Sequence, residues 1–251
     1  MFYKRMFLAL SCCLWWSYAV TPAQSAVFTL SGRVTDQNTG QGISNVAVTA
    51  NGNLTGTRVA VTDANGNYLL AMGANNNITF RAYRTNYVFN PLSVTRTSTQ
   101  IITGQETRDF TGAANPLSIR LFDVAPVLLT EDDSLRALTL NALTRTRDPF
   151  GPMTAFNFSA DHRTRLVLLL VDLDLFNGEL LANTITATAE DVQARLYTLV
   201  PEDLRKVPGL PWLSQLTVRL PAELTGPGNV NLRVATRGQN SNSATVRIGS
   251  L

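Results

Sequence analysis

His162 is the single histidine of the 251-residue chain. One imidazole excludes any two-histidine metal site and leaves one candidate general base. A Ser/His/Asp triad would need a serine from elsewhere, and the sequence has no glycine-x-serine-x-glycine nucleophile elbow. Asp161-His162-Arg163 reads as a polar turn, so the expectation is an exposed loop histidine. Asp172 and Asp174 are the second possibility. Placed on one strand they share a face, with Cα atoms about 6 to 7 Å apart, a separation open to a glycosidase-like carboxylate pair. Such a pair flanks its substrate, whereas neighbouring acids on a strand more often point into solvent or pair with arginine, and that reading is preferred.

Asp63-Ala64-Asn65-Gly66-Asn67 sets oxygen-bearing side chains at alternate positions, as a calcium loop begins. The glycine falls at position four rather than six, and no glutamate stands at position twelve. The preferred reading is a turn, with Val59 and Val61 pairing Tyr68 and Leu70 as a hairpin, and calcium stays open. Glu131-Asp132-Asp133 reads as a solvated turn, with a cation site as the lesser option. Neither a phosphate-binding glycine loop nor a dinucleotide fingerprint is present. The expectation is therefore no catalytic residue, no cofactor and no metal. Tyr83, Tyr87, Phe89 and Trp212 are the candidate ligand-binding residues, as aromatics that could stack on a glycan. Alternation sets Tyr87 and Phe89 on one face, which for most strands is core, and Trp212 is expected to plug one end of a sandwich.

The elements that must position these residues are strands. Apolar residues recur at period two in Val46 and Val48; Leu117, Ile119 and Leu121; Leu216, Val218 and Leu220; Val230, Leu232 and Val234; and Ala244, Val246 and Ile248. Asn51-Gly52, Asn65-Gly66, Asn75-Asn76-Asn77, Asn177-Gly178 and Gly226-Pro227-Gly228 punctuate them as turns. Val34 is expected to open a strand, and the polar turn from Asp36 to Gly42 to bring Val46 and Val48 back antiparallel. Leu166 to Val171 is a continuous apolar run, expected as a strand covered on both faces and continuing as alternation through Leu173 and Leu175. Pro201, followed by Glu202 and Asp203, suggests a short helical turn from Leu199 to Lys206.

Residues 1–26 read as an export signal: Lys4 and Arg5, an apolar run from Phe7 to Val20, then the small-residue site Ala23-Gln24-Ser25-Ala26. The run is shorter than the roughly 20 residues of a spanning helix. Cys12 and Cys13 lie inside it, not directly after it where a lipid-bearing cysteine belongs. Cleavage removes both cysteines, and with them disulfides, thiolate nucleophiles and cysteine-bound zinc. Of 21 basic residues, loss of Lys4 and Arg5 leaves 19 against 18 acidic, net +1, with Lys206 the one lysine. A balance this even, without a basic stripe, argues against nucleic acid or stable membrane attachment as partners. The reading is a secreted, cell-surface or periplasmic protein.

The best internal break is Thr111-Gly112-Ala113-Ala114-Asn115-Pro116, giving expected domains over 27–113 and 114–251. In the first, Ser31-Gly32-Arg33-Val34-Thr35-Asp36, Gly42 to Val48, Val61 to Tyr68 and Tyr87-Val88-Phe89-Asn90-Pro91 follow in an order that resembles the carboxypeptidase regulatory-like domain. That resemblance implies a transthyretin-like (prealbumin-like) sandwich, similar to the B-type repeats of bacterial surface proteins. In the second, Arg147-Asp148-Pro149-Phe150, Asn157 to Arg165, Val207 to Pro221 and Asn240 to Val246 resemble a C-terminal module of secreted soil-bacterial proteins. It implies an immunoglobulin-like sandwich and no particular reaction. The fold class expected is all-β, two β-sandwich domains after a signal peptide. The function expected is a non-enzymatic structural or adhesion-type interaction module with a surface protein or glycan as partner, the alternative being a carbohydrate-binding accessory protein acting through the first domain.

Overall fold

The computed structural model describes residues 27–115, 124–154, 157, 159–226 and 228–249. The expected leader, the Leu117-Ile119-Leu121 alternation and Pro227 lie outside the described residues.

The described chain is almost entirely strand. In chain order the first nine strands are Val27–Asp36 (β1), Ala47–Gly52 (β2), Gly56–Val61 (β3), Asn67–Gly73 (β4), Asn75–Tyr83 (β5), Tyr87–Asn90 (β6), Val94–Ile102 (β7), Gly104–Thr107 (β8) and Phe110–Ala114 (β9). They form two sheets. One runs β4-β1-β9-β6, with β8 also pairing β1, and the other runs β3-β2-β5-β7. Period two explains the stacking: Phe28, Leu30 and Val34 of β1, Val48 and Ala50 of β2, Tyr68, Leu70 and Met72 of β4, and Ile78 and Phe80 of β5 all point into one core.

Three local expectations fail here, the first two for a common reason. β2 pairs with β3 and β5, not with β1: the Asp36–Gly42 turn closes on a Thr35–Gly42 bridge, and the chain then crosses to the other sheet before β2 begins. The Asp63–Asn67 turn also crosses, since β3 lies in one sheet and β4 in the other. Val34 N donates to Gly66 O at 2.8 Å, and the Thr62 hydroxyl donates to Ile43 O at 2.7 Å while accepting from Val46 N at 2.9 Å. These bonds tie the crossing to its neighbours. Alternation tells which side of a strand is buried but not which sheet it joins. The third miss is Asn75-Asn76-Asn77, which begins β5 and is not a turn. Asn75 is fully buried; its Oδ1 accepts from Leu54 N at 2.7 Å and Thr55 N at 3.1 Å, and its Nδ2 donates to Thr55 Oγ1 and Gly73 O. It replaces the backbone partners that the β2–β3 hairpin loop lacks.

The remaining elements are Val127–Leu128 (β10), Thr139–Asn141 (β11), Arg165–Val171 (β12), a four-residue helix Leu181–Thr184 (α1), Ile185–Asp191 (β13), Leu196–Val207 (β14), Leu210–Arg219 (β15), Gly228–Thr236 (β16), Gln239–Asn240 (β17) and Ala244–Ile248 (β18). Their order is β10-β12-β15-β14-β13-β16-β17, with β11 also on β12 and β18 on β16. The short helix expected over Leu199–Lys206 is instead the middle of β14. This strand pairs β13 through Leu199 and β15 from Val200 onward, with an irregularity at Pro201/Asp203. Pro201 sits where the strand leaves one sheet for the other, so the missing N–H falls at a bulge and the sheet folds back on itself. Leu166, Leu168 and Leu170, beside their β15 neighbours Leu216 and Val218, share one enclosed core with Val230, Leu232, Val234, Val246 and Ile248. The chain is thus all-β and built as two sandwiches. Among the described residues no helix is long and apolar enough to cross a membrane.

Candidate functional site

The outer faces of the two sandwiches meet. β2 is buried on both sides, Val48 and Ala50 toward its own core and Ala47 toward the other sandwich. β12 behaves likewise: Leu166, Leu168 and Leu170 belong to the second core, while Leu169 and Val171 turn outward to the seam. This accounts for the unbroken apolar run, because one face meets its own sandwich and the other a neighbour. Ala47 and Tyr83 from the first sandwich pack with Val127, Leu129, Val171, Trp212 and Leu213 from the second.

At one end of the seam lies a buried polar latch. β12 stops at Val171, and Asp172 takes φ +62°, a left-handed conformation that aspartate tolerates better than most residues. The expected continuation of the strand through Leu175 therefore does not occur. Arg81 of β5 pairs with Asp172 and also donates to Ala125 O. Tyr83, two residues on, donates its hydroxyl proton to Asp174. Lys206 closes the group, with Nζ 2.6 Å from Asp174, 2.8 Å from the Tyr83 hydroxyl and 2.9 Å from Ser214 Oγ. With Leu173 O at 3.5 Å, four oxygens surround the three ammonium donors. Burial pushes the Asp172 carboxyl above its ordinary value while Arg81 draws it back, and burial with the two nearby carboxylates pushes Tyr83 well up. Two cations and two anions neutralise one another inside the seam.

The candidate aromatics are placed around this latch. Tyr83, Phe89 and Trp212 are buried, and Tyr87 is half-buried. Trp212 lies within β15 in the seam, not at the end of a sandwich. Tyr87 stacks on Phe89 at 6.0 Å, confirming their shared face, and the Arg84 guanidinium lies 5.0 Å above the Tyr87 ring. The four do not form an exposed row. Tyr83, Tyr87 and Phe89 do line one cleft together with Arg81, Asp172 and Asp174. Its volume is about 90 Å³, small beside pockets that enclose drug-sized ligands.

A second clamp holds the other end. Arg58 of β3 pairs with Asp132 and with Asp133, the latter at 2.9 Å, and Asp133 also accepts from Gly73 N at 3.0 Å. Thr57 N donates to Thr130 Oγ1 at 2.8 Å. Asp132 and Asp133 therefore carry the contact that a solvated turn left unassigned. Gly56, at φ +73°, has no room for a side chain, since a Cβ would lie 2.1 Å from Ser134 O. The sequence carried faint signals of this surface: a β2 strand apolar at Ala47 as well as Val48, an apolar run too long for one core, and Lys206, the one lysine of the described residues.

The remaining candidates lie apart. His162 is exposed, at φ +49°, with Nδ1 2.6 Å from the Asn157 carbonyl oxygen. Asp161 beside it accepts from Arg165, at 2.5 Å, and from Arg219, at 2.8 Å, and these guanidinium hydrogen bonds hold its carboxyl far below the usual range. Asp63 Oδ1 accepts from Asn65 N at 2.9 Å and Asn67 N at 2.8 Å, which makes it the acceptor of an Asx turn. Among the described residues no cluster of three His, Cys, Asp or Glu side chains is placed to hold a metal ion.

No protein-family model and no curated protein matches the sequence. Solved structures similar to it include the Bacillus anthracis TIE protein, 8% identical with a TM-score of 0.29 over 89% of this chain and 33% of that one. The chain thus spans about a third of the TIE protein. The Bacillus cereus major pilin subunit BcpA is 8% identical with a TM-score of 0.27, covering 88% of this chain and 69% of that one. The Streptococcal ancillary pilin is 10% identical with a TM-score of 0.28, covering 90% and 60% respectively.

Proposed function

We propose that the protein is an exported, non-enzymatic structural or adhesion-type module whose two sandwiches, assigned to 27–113 and 114–251, work as one stiff body and offer their loops to a surface partner. The observation that carries this reading is the seam. Asp172 and Asp174, the acids with catalytic spacing, are each held by a cation, and Tyr83 and Trp212 are buried between the sandwiches. Groups committed in this way stiffen a body; they are not free to bind or cleave a substrate. The test applies purified protein to whole bacterial cells and to a panel of glycosides. Saturable cell binding without turnover is expected. Hydrolysis abolished by Asp174→Asn in a folded variant would overturn the reading.

One observation favours glycan binding as a second reading. Tyr87 is half-buried beside the cleft, stacked on Phe89 and with Arg84 over its ring. A glycan array showing binding that is lost in Tyr87→Ala, with the fold intact, would establish it.

A further inference from the structure

Three asparagines precede glycine in the described chain, at 51, 65 and 177, and the fold treats them differently. Gly lacks the Cβ that elsewhere shields the following backbone nitrogen, so Asn-Gly is the pair at which that nitrogen reaches the asparagine amide carbon. Asn51 and Gly52 are locked at the end of β2, paired to Thr57 and Gly56 on one side and Thr79 and Ile78 on the other, and the Asn51 amide oxygen accepts from Thr57 Oγ1 at 3.0 Å. Gly66 is buried, and its N–H donates to Asp63 O at 3.0 Å. Asn177 and Gly178 are both exposed in the turn closed by Glu179 N to Phe176 O at 3.0 Å. Gly178, at φ +86°, has no heavy atom within 4 Å of where a Cβ would stand, and its N–H enters no hydrogen bond in the turn.

We propose that Asn177 is a site of spontaneous deamidation. The Gly178 backbone nitrogen attacks Asn177 Cγ, a C–N bond forms, and the side-chain nitrogen leaves as ammonia, taking up the proton that the Gly178 amide gives away. Solvent water then opens the cyclic imide at either carbonyl, giving aspartate or isoaspartate. The product adds one negative charge to the turn that holds Arg237, whose guanidinium lies 4.4 Å from the Phe176 ring and pairs with Glu179. That turn borders the cleft between the sandwiches through Phe176 and Arg237. The modification is thus an age-dependent change of charge at the edge of the seam.

The experiment incubates the full chain in mildly alkaline buffer made with heavy-oxygen water and locates the label by peptide mass spectrometry. In the folded protein Asn177 is expected to convert at least about tenfold faster than Asn51 and Asn65, which react only through local opening. In denaturant the three should converge. Asn177→Gln, which keeps an amide but lengthens the side chain, should leave position 177 unlabelled while circular dichroism stays unchanged. Equal rates at Asn65 and Asn177 in the folded state, or a rate at Asn177 no greater than at Asn183, which precedes threonine, would overturn the proposal.

Discussion

The Arg81 guanidinium on β5 meets the Asp172 carboxylate at the end of β12, 91 positions later in the chain. The same offset of 91 joins Tyr83 to Asp174. Two alternate residues of one sandwich therefore face two alternate residues of the other, and the register of the seam is set by a pair of polar contacts. Apolar packing around Trp212 supplies area, and the polar pairs supply the fit.

Removing one partner of the latch strands the other. Arg81→Ala should destabilise the protein by on the order of 3 kcal/mol, because the buried Asp172 carboxyl loses the guanidinium that offsets its desolvation. Arg81→Met combined with Asp172→Leu should recover most of that loss. Chemical denaturation of the two singles and the double gives the coupling; strict additivity would mean that the two side chains do not interact.

Trp212→Ala empties the apolar centre of the seam while leaving both sandwich cores filled. The expected cost is about 3 to 5 kcal/mol if the seam cannot collapse. Small-angle scattering should show a broader distribution of shapes even where each sandwich retains its strand signal. An unchanged scattering profile and an unchanged melting curve would show that the two bodies are held by something else.

Gly56→Ala tests the second clamp without touching any charge. The positive φ and the closeness of Ser134 O both oppose a methyl group, and the expected loss is on the order of 2 kcal/mol. Limited proteolysis should then cut near Glu131 to Ser134 before it reaches either core.

Two aspartates should respond to acid with opposite signs. Asp161 is held below the ordinary aspartate value of 3.8 by its arginines, so its contribution is present above that value and fades as pH falls toward its lowered one. Asp172 is raised above 3.8 chiefly by burial, so the folded state holds its proton more tightly, and the stability it contributes in acid is lost as pH rises through its raised value. Asp161→Asn should therefore flatten the acid limb of the stability curve. Asp172→Asn should steepen it, since the variant loses the group that counteracts acid unfolding. Urea midpoints measured at neutral and acid pH decide both.

Asn75→Ala should cost about 2 to 3 kcal/mol, because the Leu54 and Thr55 amides lose the oxygen that satisfies them. Asn75→Asp keeps the acceptor but loses the donor to Gly73 O, and should fall between wild type and alanine in thermal melts.

The linear pattern identified a mainly strand-forming chain, told which side of most strands is buried, and set His162 and Asp63 in turns. Those properties follow from neighbours within a few residues: alternation along β16 and β18, or an aspartate whose acceptor is reached two and four residues on. It misread Pro201 as a helix start, because proline at a bulge and proline at a first helical turn look alike until the sheet partner on β15 is known. It misread Asn75 as a turn residue, because the backbone groups that its buried amide serves lie some twenty positions earlier. Which sheet each strand joins, and which residues meet across the seam, emerged from the folded arrangement. Asp172 and Asp174 could be seen from spacing as a pair, yet their partners lie on a strand 91 positions away. Contacts between distant segments depend on how whole sheets stack, and local pattern constrains only the face that each strand offers to that stacking.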